Sequence, residues 1–221
     1  MGEVPPTDRV LVLFTKAPVQ GQVKTRLGQS LGDEAAVNAH VQLVQHALLR
    51  LAHVPDVATQ LWLSEPHAQG ERWAAQYDLP YQLQSGAGLG QRMGHVFTSL
   101  FAAGVRQVVL VGTDCPDIDA KYVGQAFDAL LEHPAVFGPA EDGGYGLVGL
   151  SQTSAPLVPQ VFQQINWGSD QVMVQTRHQL RQLGLTWQEL EQIWDVDQYK
   201  DWQRYLDNLA KDDLAKDDLA K

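Results

Sequence analysis

The sequence predicts an α/β domain in which a mostly parallel central sheet is flanked by helices on both faces. Three observations carry that prediction. The short continuous apolar runs VLVLF (10–14) and VVLV (108–111) have the composition of strands buried on both sides, without the alternation of a half-exposed sheet. Between such runs, apolar residues recur at helical spacing. The two patterns alternate along the chain, which is how parallel strands joined by crossover helices are encoded.

Taken in order, residues 10–14 form the first strand, ended by Lys16-Ala17-Pro18. A loop rich in Gly and polar residues follows. Val37, Val41, Val44, Leu48 and Leu51 then make the apolar stripe of a helix, with Pro55 just past its end. Residues 57–63 are expected as a strand, 71–77 as a short helix and 81–84 as a weaker third strand. After the glycines at 86, 88 and 90, a second helical face carries Met93, Val96, Phe97, Leu100 and Phe101. The strand at 108–111 runs into Gly112-Thr113-Asp114-Cys115-Pro116-Asp117, and Val123, Phe127, Leu130 and Leu131 line a helix that stops before Pro134. Strands at 135–137 and 145–150 flank a Gly-rich turn. A helix over about 170–183 ends at Gly184, a residue suited to a C-cap, and the last helix, 199–209, carries Trp202, Tyr205, Leu206 and Leu209.

A chain of 221 residues with 44% hydrophobic and 19% charged residues can bury a sizeable core, which excludes global disorder and makes one domain, 1–210, the expectation. Residues 211–221 continue a Leu-Ala-Lys-Asp-Asp repeat whose leucines wind around a helix instead of lining one face, so a polar tail is expected there. No apolar run approaches a membrane span, and the leading MGEVPPTDR lacks the apolar core of a signal peptide. A single cysteine, Cys115, excludes an internal disulfide. A cytoplasmic location follows as an expectation. The net charge of −10 repels phosphate backbones, so no nucleic-acid partner is expected, and clustered basic residues become informative.

Ligands of open parallel sheets bind at the carboxyl ends of the strands, so the residues after each buried strand matter most. After the first, Lys16, Lys24 and Arg26 bring three cations with no acid between them, around Pro18 and Gly21. Such a loop ahead of a helix suits a di- or triphosphate, although an ordinary basic surface loop has the same composition. After the strand at 108–111, Asp114 stands too early to cap a helix and is placed to hold Mg²⁺ or Mn²⁺. Asp117 and Asp119 precede the next helix, and a cap is the expected role of Asp117. Asp142, before two glycines, is exposed on a turn that lets backbone approach a ligand, while Asp-Gly is also a hairpin signal. Asp195 and Asp197 flank Val196 and point the same way if extended. Arg92, beside the glycines at 86–90, is a further candidate for contact with a nucleotide. His40 and His46 are expected at the surface or boundary of their helix. There is no Walker A loop, NAD fingerprint or nucleophile elbow.

Six segments, KAPVQGQVKTRL (16–27), LGQRM (89–93), GTDCPDI (112–118), GPAEDGGYGLVG (138–149), INWGSD (165–170) and WDVDQYKD (194–201), together resemble the radical-SAM/selenodomain-associated transferases of type one, a bacterial glycosyltransferase family. The resemblance implies the GT-A, or nucleotide-diphospho-sugar transferase, fold, which also houses nucleotidyltransferases. It implies that the loop after the first strand meets the nucleotide, that Asp114 is the metal-binding aspartate, and that Asp197 is a second ligand. The sequence departs from the family pattern after Asp197, reading Gln-Tyr-Lys-Asp where Thr-Pro-Glu-Asp is usual.

The expected activity is therefore metal-dependent glycosyl transfer from a nucleotide-diphospho-sugar to a small acceptor, with Mg or Mn as cofactor. Lys16, Lys24, Arg26 and Arg92 would bind the nucleotide, Asp114 and Asp197 the metal, and Asp142 would serve as the catalytic carboxylate. The alternatives are transfer of a nucleotidyl group from an NTP to a phosphorylated small molecule with release of pyrophosphate, and a non-catalytic nucleotide-binding module.

Overall fold

The computed structural model of the protein describes residues 8–219, with side chains to Lys211. The chain runs β1 (Arg9–Thr15), α1 (Thr25–Leu31), α2 (Asp33–Leu51), β2 (Ala58–Leu63), α3 (Ala68–Gln76), β3 (Tyr81–Leu83), α4 (Leu89–Ala102) and β4 (Gln107–Gly112). It continues through α5 (Ala120–Glu132), β5 (Ala135–Pro139), β6 (Tyr145–Ser151), a 3-10 turn (Gln152–Leu157), α6 (Val158–Val161), α7 (Val172–Gln182), β7 (Trp187–Glu189) and α8 (Tyr199–Leu219).

Seven strands form one sheet in the order β3-β2-β1-β4-β6-β5-β7. β3, β2, β1 and β4 are mutually parallel, β6 runs antiparallel to both β4 and β5, and β7 is parallel to β5. The α/β fold with a mostly parallel sheet is thus the observed one. Strand alternation sends Leu11, Leu13, Val109 and Val111 to one face, under α2, α3 and α5. Val10, Val12, Val108 and Leu110 go to the other, under α4, α6 and α7. All eight are buried, which is why these strands read as continuous apolar runs. A third cluster lies off the sheet, where Leu27 of α1, Ala39 and Leu43 of α2, Trp194, Val196, and Trp202 and Tyr205 of α8 pack together.

Several local expectations change. β7 and α6 carry no pattern that single-sequence periodicity detects, since each is three or four residues long. α1 makes a helix of Thr25–Leu31, so the basic loop ends at Lys24. α3 begins at Ala68, where the His67 side chain accepts a bond from the Gln69 amide as N-cap. Leu131 is 67% exposed, because the buried face of α5 is centred on Val123, Ala126, Phe127 and Leu130. At the end of α7, Gly184 takes φ +67 and its amide bonds the Arg181 carbonyl, the left-handed stop expected of it. α8 continues through Leu219, so the boundary drawn between 210 and 211 falls inside a helix, and the tail side chains beyond Lys211 lie outside the described residues. Among the described residues, no helix is long and apolar enough to cross a membrane.

Candidate active site

The strand order reverses between β1 and β4, and at that switch point, beyond the carboxyl ends of both strands, lies a cleft of ≈ 720 Å³. Thr113 Oγ1 donates to Thr15 Oγ1 at 2.8 Å, fastening the two strand ends together. Lys16, Lys24, Arg92, Asp114, Asp142 and Asp197 all line this cleft, so six of the seven residues singled out above converge on it. The seventh, Arg26, stands outside it and reaches Asp197, Nη1 to Oδ2 at 2.6 Å.

Lys24 is the N-cap residue of α1 and adopts a left-handed backbone, φ 46 and ψ 42, which only glycine and, less often, asparagine or aspartate visit readily. Leu27, one turn on, is fully buried in the third cluster and anchors the helix. The strained cap turns the Lys24 side chain inward, where it is only 8% exposed and its Nζ lies 3.0 Å from Asp114 Oδ2. Asp114 keeps 42% of its side chain open to the cleft. Burial works against the Lys24 ammonium, but Asp114, then Asp195 and Asp197, outweigh it and hold its pKa above the ordinary value. For Asp114 burial acts upward and Lys24 overcomes it, leaving that carboxyl below its usual range.

The two distant acids are brought in by backbone pairing. Ile193 bridges to Ala140, its amide bonds the Pro139 carbonyl, and the Val196 amide donates to the Asp114 carbonyl at 2.9 Å. Val196 faces the third cluster with no exposure, so Asp195 and Asp197 on either side of it both turn to the cleft. The start of α8 is capped instead by Asp201, whose Oδ2 accepts from the Gln198 amide at 2.8 Å. Asp195 is therefore no peripheral acid. Burial first, then the charges of Asp114, Asp142 and Asp197, push its pKa up to about 7.

Hard carboxylate oxygens are the donors that Mg²⁺ and Mn²⁺ prefer, and Asp114 and Asp197 both supply them in one cleft. Among the described residues no three His, Cys, Asp or Glu side chains form a closed metal set. The donor chemistry fits an ion that takes its remaining ligands from phosphate and water, as Mg²⁺ usually does.

The far wall comes from the β5–β6 turn and the segment before α7. Asp142 Oδ1 accepts from the Gly144 amide at 2.8 Å, so part of this carboxylate shapes the turn, as the hairpin signal implied. Gly143 has φ +87 and sits against the Asp170 carbonyl, where any Cβ would collide, and its own carbonyl takes the Met173 amide at 2.9 Å. Trp167 packs edge-on to Tyr145, centroids 6.2 Å apart, and a Cβ on Gly90 would come within 2.8 Å of its Nε1. The indole is thus held between α4 and β6 while facing the cleft. Arg92 Nε donates to the Gly86 carbonyl at 3.1 Å, which closes the glycine loop.

Two expectations are corrected here. Asp119, not Asp117, is the N-cap of α5, accepting from the Tyr122 amide at 2.8 Å; Asp117 lies a further turn of chain away. His40 is not at the surface: it is 6% exposed, and its Nε2 lies 3.0 Å from the Lys16 carbonyl. Burial lowers its pKa to about 4 despite the bond to the Lys16 carbonyl, with the charges of Lys24 and Lys16 acting the same way as burial and that of Asp114 against it. From the same helix, His46 Nε2 and Arg50 Nη1 reach the Pro116 carbonyl at 3.3 and 3.2 Å. α2 therefore braces the loops after both β1 and β4. Counting Ala36, Ala39 and Ala47 as apolar would have placed His40 on the buried face; the sequence signal was present in small residues. Trp167 had no signal beyond its place in the INWGSD segment. Cys115 is buried at the cleft floor, and burial drives its thiol pKa well up, the opposite of a reactive thiolate.

A family model described as uncharacterized protein conserved in bacteria (DUF2064) matches residues 46–169, which include Arg92, Asp114, Asp142 and Trp167. No curated protein matches the chain. Among solved structures, a protein of Desulfovibrio desulfuricans G20 provisionally described as a nucleotide-diphospho-sugar transferase is 33% identical, over 87% of this chain and 83% of that one, with a TM-score of 0.79. CMP:2-keto-3-deoxy-manno-octonic acid synthetase, complexed with CTP, superposes with a TM-score of 0.59 at 11% identity, covering 92% and 99% of the two chains. 4-Diphosphocytidyl-2C-methyl-D-erythritol synthase from Anaerococcus prevotii DSM 20548 gives 0.60 at 9% identity, covering 91% and 98%. At such identities the last two speak for the fold alone, that of the nucleotide-diphospho-sugar transferases and cytidylyltransferases.

Proposed function

The chain belongs to the DUF2064 family, and with that membership and its transferase fold as the premise we propose that it is a transferase acting on a nucleotide-activated sugar, which it passes to a small acceptor. The observation that carries this reading is the convergence of Lys24, Asp114, Asp142 and Asp197, from four separate loops, on one cleft at the switch point of the sheet. Within the family we place the chain with the radical-SAM/selenodomain-associated transferases of type one, on the strength of the six sequence segments that resemble them.

In the proposed reaction the acceptor hydroxyl attacks the anomeric carbon, the bond from that carbon to the diphosphate breaks, and the nucleoside diphosphate leaves. Lys16 and Lys24, which line the cleft, bind the phosphates, each charge-assisted bond contributing about 1.5–3 kcal/mol, while Arg26 stays outside on Asp197. Asp142, with one oxygen fixed by Gly144, has the other to orient the acceptor and take the hydroxyl proton. Asp114 and Asp197 would hold Mg²⁺ or Mn²⁺, which when bound supplies charge to stabilise the leaving diphosphate. Trp167 and Tyr145 give the cleft an aromatic wall that limits water around the reacting centre.

A second reading, nucleotidyl transfer from an NTP to a phosphorylated acceptor, is favoured by one feature. The order Lys16-x-x-x-x-Gly21-x-x-Lys24-x-Arg26 is closer to the loops of nucleotidyltransferases than glycosyl transfer requires. A binding screen of UDP, GDP, CDP and ADP sugars against the four NTPs, each with and without Mn²⁺, decides between them. Tight binding of a nucleotide sugar, with release of the nucleoside diphosphate when acceptor is present, is the expected result. Binding of NTPs only, with pyrophosphate release, would establish the second reading instead.

A further inference from the structure

We infer that the ligand of this site is the preformed complex of a divalent cation with a nucleotide's phosphates, and that Lys24, seated on Asp114, keeps the cation out of the free protein. The inference rests on the proposed nucleotide-binding function and adds to it the form in which the ligand is accepted.

Each of the two carboxylates fitted to hold a metal already holds a cation of the protein itself: Asp114 takes Lys24 at 3.0 Å and Asp197 takes Arg26 at 2.6 Å. The pairs are not equivalent. Arg26 and Asp197 are 59% and 32% exposed and exchange readily with solvent, whereas Lys24 is 8% exposed and has little water to retreat into. A divalent ion arriving alone at Asp114 would share the carboxylate with a buried ammonium of like charge. It would also find too few ligands, because no third His, Cys, Asp or Glu completes a set among the described residues.

Phosphates remove both obstacles together. They bring oxygen ligands for the ion, and they offer Lys24 a new anion, so that Asp114 is released without stranding the ammonium. The backbone is built for this exchange. Lys24 is held in a left-handed conformation at the cap of α1 and lines the cleft, so its ammonium stays in the cleft whichever anion it serves. Metal and nucleotide must then bind with positive coupling, and by linkage each raises the affinity of the other by the same factor.

The test is Mn²⁺ binding to the intact protein, by calorimetry and by the EPR signal of free Mn²⁺. It is done with Mn²⁺ alone and with UDP, GDP, CDP or ADP, after subtracting Mn²⁺ bound to the nucleotide in bulk. Wild type should bind Mn²⁺ at least about tenfold more tightly when a nucleoside diphosphate is present. Lys24→Gln should bind Mn²⁺ without nucleotide about tenfold more tightly than wild type, and Asp114→Asn in that background should abolish the gain. Lys24→Arg, which keeps a cation at Asp114, should exclude Mn²⁺ as wild type does. Equal Mn²⁺ affinity with and without a nucleotide that does bind, or no gain in Lys24→Gln, would overturn the inference while leaving the transferase reading standing. If no nucleotide binds wild type under any condition, the functional reading fails and the inference with it. The wild-type coupling needs no variant, so a Lys24 substitution that misfolds does not remove the test.

Discussion

The most direct physical consequence of the site is a pH-dependent stability set by His40. This imidazole is 6% exposed, lies against the Lys16 carbonyl, and has its pKa lowered from 6.5 to about 4, chiefly by burial. Above pH 6.5 it is neutral both folded and unfolded, so the full stability is present. As the pH falls from 6.5 toward 4, the unfolded chain binds a proton that the folded chain refuses, and stability is lost progressively through that window. A difference of 2.5 pKa units corresponds to about 3 kcal/mol at the acid end of the window. For a domain of this size that is roughly 6–12 °C in melting temperature. Replacing the residue with glutamine keeps an N–H donor for the Lys16 carbonyl but cannot titrate. Urea denaturation of wild type and His40→Gln, compared across the window, should show wild type losing stability relative to the variant as the pH falls, since only wild type carries the imidazole penalty. Curves that stay parallel would show that His40 is solvated and that burial is not what holds it neutral.

The two cation–acid pairs should separate under mutation. Asp114→Asn strands the buried Lys24 ammonium and should cost about 1.5–3 kcal/mol in thermal unfolding of the ligand-free protein. Arg26→Ala, at an exposed pair, should leave the melting temperature unchanged, and equal losses in the two variants would place both pairs on the same footing. Asp195→Asn should raise the melting temperature of the metal-free protein, because it removes a carboxylate crowded by Asp114, Asp142 and Asp197. A lowered melting temperature in calorimetry would mean that Asp195 makes a stabilising contact that its charge environment hides.

By itself the sequence determined the fold class, the order of the main strands and helices, and the loops that meet at the cleft. Those features depend on local regularities: β1 and β4 are apolar on both faces because both faces are covered, and α4 shows a clean stripe because Met93, Val96, Phe97, Leu100 and Phe101 all meet the sheet. Asp114 was legible for a related reason, since an acid just past a buried strand is exceptional in its surroundings, and Lys24 because it belongs to a run of cations with no acid in a chain of net charge −10. How these residues meet depends instead on packing between distant segments. The Val196 amide finds the Asp114 carbonyl because Trp194 and Val196 pack with α1, α2 and α8, an arrangement with no periodicity along the chain. That contact puts Asp195 at the centre of the acids, although its sequence neighbourhood resembles that of any residue ahead of a helix. The same packing buries His40 and turns Lys24 inward through a left-handed cap. Local sterics and hydrophobic spacing select the elements, but the charges that a site brings together are selected by which faces those elements bury against one another.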